Sequence, residues 1–112
     1  MSRFCYRIAP EIFQDHPEYC RGIAVFRKLD NTQAKPELTA MLRTSEQALR
    51  ERIVVNVAEH AHIAAWREAY RRFGAKPSEH RSSIEALSRR VLKPDCLPDI
   101  NPLVDIGNLL SL

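Results

Sequence analysis

The residues best able to do chemistry in this sequence are basic side chains concentrated in one segment. Between positions 67 and 93, eight Lys or Arg residues accompany three acidic ones, so this segment carries a net charge of +5, compared with +3 for the whole chain. The basic residues are Arg67, Arg71, Arg72, Lys76, Arg81, Arg89, Arg90 and Lys93. A basic segment on an otherwise nearly neutral chain favours binding to a phosphate backbone. The alternative is a solvated helix surface on which these charges form salt bridges.

Individual positions in this segment favour one or the other interpretation. Arg67 and Arg71 are the strongest candidates for RNA contacts, because a planar guanidinium group can bind phosphate through two parallel hydrogen bonds. Arg89, Arg90 and Lys93 fall at the end of a predicted helix, where cations complement the helix dipole without any ligand. The sequence leaves both explanations open for this second group.

Aromatic side chains accompany the basic ones. Trp66 and Tyr70 have flat faces on which RNA bases could stack. They also recur at helical spacing with Ile63 and Phe73, however, which predicts one buried apolar stripe on a helix. Gly74 follows at the position typical of a helix C-terminal cap. We therefore expect these rings to belong to the core.

No common catalytic or metal-binding signature is present. The sequence contains no P-loop, G-x-G-x-x-G, G-x-S-x-G or H-E-x-x-H motif. His60 and His62 are two residues apart and would face different directions on a helix, so we expect surface or cap histidines and no metal site. Asp95 and Asp99 flank a proline-containing loop, but no partner base accompanies them, so solvated carboxylates are expected. No cofactor is predicted.

The cysteines and the N-terminus indicate a location. The three cysteines, Cys5, Cys20 and Cys96, form no C-x-x-C pair, so we expect free, buried thiols rather than a zinc or redox site. Residues 1–5 show no signal-peptide core. No apolar run approaches the roughly 20 residues that a membrane span needs. We expect a cytoplasmic protein that does not enter the membrane.

The first half of the chain predicts a strand and a helix. Residues 22–26 (GIAVF) are compact, apolar and partly β-branched, which indicates a buried strand. From residue 36 to about residue 53, apolar residues recur at helical spacing, and Pro36 suits a first helical turn. Glu46 and Arg50 have the spacing of a stabilising helical ion pair. Residues 53–57 (IVVNV) are either a short strand or the tail of this helix.

The second half predicts another helix and a packed end. Ser82 and Glu85 have the spacing of a capping box, in which each side chain accepts a hydrogen bond from a backbone N–H of the first turn. Ile84, Leu87 and Val91 would form the buried face of this helix. Residues 103–112 are mostly apolar, so we expect them to pack against their own core or against a second chain.

Several of these runs together resemble a known family. They are residues 66–77 (WREAYRRFGAKP), 81–87 (RSSIEAL), 89–93 (RRVLK) and 97–108 (LPDINPLVDIGN), with residues 19–23 (YCRGI) similar to the first core strand of that family. The family is the B-three/B-four domain, the tRNA-editing domain of the phenylalanyl-tRNA synthetase beta subunit, in its stand-alone version. The resemblance covers nearly the whole chain and is densest from residue 66 onward.

The resemblance implies a fold, a partner and a site. It implies an α/β (or α+β) domain with a few short strands and three to four helices, occupying residues 1–112 as the N-terminal half of the editing domain. Within a stretch that reads V-D-V-T-N-Y in the synthetase, Asn108 matches an asparagine of the editing pocket, and Gly107 stands where the synthetase has threonine. In that family, the domain hydrolyses tyrosine wrongly attached to phenylalanine tRNA. A bound water would be the nucleophile, with Asn108 orienting the water or the substrate.

Two hypotheses about function follow. The first is a domain that binds RNA or aminoacyl-tRNA through the basic segment, with hydrolysis of mischarged tRNA left open and no catalytic residue assigned. The second is a non-catalytic interaction module that dimerises, or pairs with a separate chain carrying the second half of the domain, through residues 103–112.

Overall fold

All regular secondary structure in the described residues is helical. The computed structural model describes residues 3–94 and 96–112. In these ranges the helices are α1 (Pro10–Asp15), α2 (Pro36–Arg52), α3 (Ala61–Arg72), α4 (Ser83–Val91) and α5 (Pro102–Ser111), with a short 3₁₀ helix at Val57–Glu59. The described residues contain no β-strand, so the predicted α/β class is wrong. None of these helices is long and apolar enough to cross a membrane.

The strand predicted at residues 22–26 does not form. Ile23, Val25 and Phe26 are 56%, 61% and 46% exposed, respectively. A β-strand is stable only when its backbone N–H and C=O groups pair with a neighbouring strand, and the described part of the chain provides none. This segment therefore has the composition of a strand, but the described part of the chain contains no second strand with which it could pair.

Helix α2 begins and ends close to the predicted positions. Pro36 occupies the first helical turn, and the backbone N–H of Ile53 donates to the carbonyl oxygen of Leu49 to end the helix. Beyond this point Val54 is 83% exposed. The chain turns there into the 3₁₀ helix, so residues 53–57 form neither a strand nor a continuation of α2.

The core lies around α2, which contacts both α4 and α5. The 3₁₀ helix joins α3 and α4 to this core. Seven hydrophobic residues are buried together: Leu42, Leu49, Ile53, Val57, Ile63, Val91 and Leu97. Because these residues come from α2, α3, α4 and the two segments that connect α2 to α3 and α4 to α5, the core depends on all of these elements being in place.

A buried carboxylate holds α2 to the loop before α5. Glu46 is fully buried and accepts a hydrogen bond from Arg43 Nη1 at 2.6 Å and another from the backbone N–H of Leu97 at 2.8 Å. The predicted Glu46–Arg50 pair is absent among the described contacts. Arg50 instead donates from Nε to the carbonyl oxygen of Val91 on α4, at 2.8 Å.

Several residues that we expected to be buried are exposed. Ile63 is 1% exposed, as predicted for the stripe on α3, but Trp66 is 42% and Phe73 60% exposed. The prediction failed because helical spacing places residues on one side of a helix but does not show how far the neighbouring elements extend over that side. The three cysteines are free thiols, and all are exposed: Cys5, Cys20 and Cys96.

Residues 3–35 lie outside the core. Helix α1 has no buried residue. Apart from its direct continuation into α2, the described contacts of this segment with the helices include two at distant positions. Asn31 Oδ1 accepts a hydrogen bond from the backbone N–H of Leu103 at 2.8 Å, and the His16 ring meets the Phe73 ring edge-to-face at 5.9 Å. The segment is thus attached at the start of α5 and at the end of α3.

Candidate nucleic-acid interface

At the start of α4, the described contacts include one of the two hydrogen bonds of the predicted capping box. Ser82 is the N-cap residue, and its hydroxyl accepts a hydrogen bond from the backbone N–H of Glu85 at 3.4 Å. The Glu85 side chain makes no return bond to the Ser82 backbone N–H among the described contacts. It points instead into the space between α3 and α4, where it has a different role.

Glu85 forms ion pairs with two arginines of the basic segment. This fully buried carboxylate accepts hydrogen bonds from Arg67 Nη1 at 2.8 Å and from Arg89 Nε at 3.0 Å. The Arg67 side chain is only 18% exposed in this arrangement. A buried carboxylate without cationic partners would be costly, so Arg67 is held in an ion pair that connects α3 to α4.

The other cations of α3, and Lys76 in the segment after it, also have acidic neighbours. Arg71 and Arg72 lie 3.2 Å and 3.8 Å from oxygens of Glu68, and Lys76 lies 3.4 Å from Glu79. All of these side chains are more than half exposed. Exposed pairs of this kind contribute little to stability. This part of the basic segment matches the alternative of a solvated, salt-bridged helix surface.

A different group of cations surrounds an open depression on the outer side of α4. Its volume is about 370 Å³, and its lining residues are Arg81, Ala86, Arg89, Arg90 and Lys93. We call the four basic side chains the α4 cation face. Ala86 and Arg90 are four residues apart, so helical geometry places them on one side of α4, while Arg81 precedes this helix and Lys93 follows it.

The α4 cation face has unbalanced positive charge. Within the described residues, no carboxylate oxygen lies within 4.0 Å of a cationic nitrogen of Arg81, Arg90 or Lys93, and all three side chains are exposed. Arg89 is the exception, because Glu85 holds it through both Nε and Nη2. Like charges around one depression repel each other, and an anion that bridges them removes this repulsion.

The predicted pocket residues lie elsewhere. Gly107 and Asn108 are both within α5, where Gly107 is exposed and Asn108 half-buried. Neither residue lines the depression beside α4. The structure therefore does not bring the two predicted groups of site residues, those for the pocket and those for RNA binding, into one site.

A second, smaller cavity lies on the inner side of α4. It measures about 60 Å³, and its polar lining includes His60, His62 and Ser88. His60 is the N-cap residue of α3, and the two histidine rings meet edge-to-face at 5.3 Å rather than pointing apart as predicted. The described residues contain no group of three or more His, Cys, Asp or Glu side chains that could hold a metal ion.

Of the two aspartates that flank the proline-containing loop, only Asp99 belongs to the described residues. Asp95 lies outside the described residues. Asp99 lies 3.5 Å from Arg43 Nη2 and its side chain is 40% exposed. Its role in the described structure is to extend the ion pairs around Arg43.

Comparison with known proteins brings no match: no family model fits the chain, and no curated protein or solved structure is significantly similar to it. The proposal of a function therefore depends on the residues and their arrangement. The residue that the sequence-based reasoning missed is Glu85. The four-residue spacing between Glu85 and Arg89 indicates a helical ion pair, but Glu85 was interpreted only as the capping partner of Ser82.

Proposed function

We propose that the chain binds RNA, with tRNA or aminoacyl-tRNA as its ligand, through the α4 cation face. The observation that carries the proposal is the grouping of Arg81, Arg89, Arg90 and Lys93 around one open depression. A polyanion with regularly spaced charges releases counterions when several cations of one surface neutralise its phosphates, which favours binding. An open depression accommodates a continuous backbone better than an enclosed pocket would.

The choice of tRNA among RNAs comes from the sequence resemblance to the synthetase editing domain alone, since the described residues are all-helical and do not share the α/β fold of that domain. It is supported by the runs at residues 66–77 and 97–108, and it would place the protein in the cytoplasm, where tRNA is found. Hydrolysis of tyrosine from phenylalanine tRNA is the corresponding activity. We assign no catalytic residue, because Asn108 lies apart from the α4 cation face.

The salt dependence of binding tests the proposal. Labelled tRNA is titrated with the purified chain at a series of KCl concentrations, and binding is followed by fluorescence anisotropy. If the four cations each neutralise one phosphate, the logarithm of the association constant should fall with the logarithm of the salt concentration with a slope of about −3 to −4. The absence of tRNA binding at low salt would refute the proposal.

Charge reversal at matched positions tests the location of the site. The double variant Arg90→Glu/Lys93→Glu should reduce the salt slope by about 2, because two phosphate contacts are lost. The control, Arg3→Glu/Arg7→Glu, changes the net charge by the same amount at two exposed residues of the N-terminal segment, outside the proposed site. Equal losses in the two variants would show a general charge effect rather than a site on α4.

A deacylation assay tests the hydrolytic part separately. Tyrosyl-tRNA specific for phenylalanine and the correctly charged phenylalanyl-tRNA are incubated with the chain, and the remaining ester is measured over time. Faster loss of tyrosine than of phenylalanine would support editing. Loss of both at the spontaneous rate would leave tRNA binding without hydrolysis.

A second candidate function, a module that pairs through residues 103–112, has one observation in its favour. Leu103 and Leu110, seven residues apart on α5, are 45% and 76% exposed. If this side of α5 pairs with a second copy, Leu110→Glu should convert a dimer into a monomer in analytical ultracentrifugation. A monomeric mass for the unmodified chain would count against self-association through α5.

A further inference from the structure

Helix α3 carries a row of aromatic rings that the α4 cation face does not use. The rings of Trp66 and Tyr70 have centroids 6.4 Å apart with an interplanar angle of 84°, and those of Tyr70 and Phe73 are 5.3 Å apart at 47°. His16 extends the row, since its ring lies 5.9 Å from Phe73 at 83°. We call Trp66, Tyr70 and Phe73 the aromatic row.

The aromatic row is partly open to solvent. Trp66 is 42% and Phe73 60% exposed, while Tyr70 between them is half-buried. Large aromatic side chains are usually mostly buried in soluble domains. The exposed parts of Trp66 and Phe73 are where another flat group could contact these side chains.

The size of the row restricts what can cover it. Three aromatic side chains with these exposures present at most roughly 300 Å² to solvent, given about 150–250 Å² for each whole side chain. A stable protein interface buries about 800 Å² on each partner. The row is therefore too small to be a protein interface by itself, but it matches the flat area of one or two nucleobases.

We infer that the aromatic row binds unpaired nucleobases of the RNA whose phosphates contact the α4 cation face, an inference that rests on the proposed function. Stacking of bases on exposed aromatic rings is favourable and tolerates any base sequence, because every base has a π-face. The ion pair between Arg67 on α3 and Glu85 on α4 connects the helix that carries the rings to the helix that carries the cations. The ligand is thus an RNA with a single-stranded portion rather than a continuous duplex.

The chain contains one tryptophan, Trp66, which makes its emission a direct reporter of the row. Three probes are titrated at the same ionic strength: a single-stranded twelve-nucleotide RNA, a twelve-base-pair RNA duplex, and inorganic polyphosphate. We expect the single strand to quench Trp66 emission with saturation. The duplex and polyphosphate should bind, as seen in competition with labelled tRNA, without this quenching.

Variants separate stacking from phosphate binding. Phe73→Leu should weaken binding of the single-stranded RNA about tenfold, with little change for the duplex. Phe4→Leu is the matched control, because it makes the same substitution at a residue that is 74% exposed and outside the row. Phe73 is an exposed residue, so the variant should fold, which circular dichroism would verify.

The outcomes distinguish this inference from the proposed function. If no RNA or polyphosphate binds, the proposed function fails and the inference fails with it. If single strand and duplex bind equally, without quenching and without an effect of Phe73→Leu, only the inference is overturned. A dimeric mass that Phe73→Leu reduces to a monomer would also overturn it, because a second copy would then cover the row.

Discussion

Two buried carboxylates differ in what surrounds them. Glu85 is fully buried, and its Oε1 receives hydrogen bonds from Arg67 and Arg89, while its Oε2 has no hydrogen-bond partner among the described residues. Asp105, on α5, is 1% exposed, and neither of its carboxylate oxygens has a hydrogen-bond partner among the described residues. A buried charge costs free energy unless it is paired. The same burial therefore has opposite consequences for stability at these two positions.

Substitution of the two carboxylates should show this difference. We expect Glu85→Gln to lower the free energy of unfolding by about 3 kcal/mol, because Arg67 is left partly buried without its counter-charge. The matched control Asp105→Asn replaces a buried carboxyl group whose oxygens have no hydrogen-bond partner among the described residues, so no ion pair is lost and stability should change little. Urea unfolding followed by circular dichroism measures both, and equal losses in the two variants would contradict this account of Glu85.

At the scale of the elements, the helix ends followed from sequence patterns more reliably than the choice between helix and strand. Pro36 at the start of α2, Ser82 at the start of α4 and Gly74 after α3 all lie where their residue types predict. Capping is a local interaction within a few residues, so sequence alone determines it. The strand predicted at residues 22–26 needs a partner from elsewhere in the chain, which no local pattern reports.

Substitutions of two glycines test the end of α3 and the interior of α5. Gly74 has a φ of +81°, a conformation that costs a residue with a side chain about 1 kcal/mol or more, so Gly74→Ala should destabilise the protein by that amount. Gly107 lies inside α5, and apart from its chain neighbours and the backbone of its own helix no described heavy atom lies within 4 Å of the position that a Cβ would take, so Gly107→Ala should stabilise by about 0.5–1 kcal/mol. Thermal unfolding of both variants gives the signs, and destabilisation by Gly107→Ala would show that a neighbour fills this space.

At the scale of the whole molecule, the chain divides into a helical body from residue 36 onward and an N-terminal segment that contributes nothing to the core. The core residues all lie between positions 42 and 97. The segment before them contains Ile23, Val25 and Phe26, all largely exposed. Segments with few buried contacts open most readily and are the first to be cut by proteases.

Limited proteolysis should reveal this division. Trypsin should cut first after Arg21 and Arg27, which are exposed in a segment without helical hydrogen bonds, and later within α3 after Arg71. Mass spectrometry of samples taken over the first minutes identifies the order of the cuts. Early cleavage within α3 would show that the helical body opens as easily as the N-terminal segment.

The sequence by itself determined the local features: the starts of α2 and α4, the turn at Gly74 and the concentration of basic residues between positions 67 and 93. These depend on interactions between neighbours in the chain. The ion pairs of Glu68 and Glu79, and that of Glu85 with Arg89, join residues three or four positions apart and are also local. The tertiary structure alone decided that Glu85 also holds Arg67 on α3, and that Arg81, Arg90 and Lys93 surround one depression. It also decided that Trp66 and Phe73 are exposed. These features depend on elements far apart in sequence, and the approach of those elements is a property of the folded core.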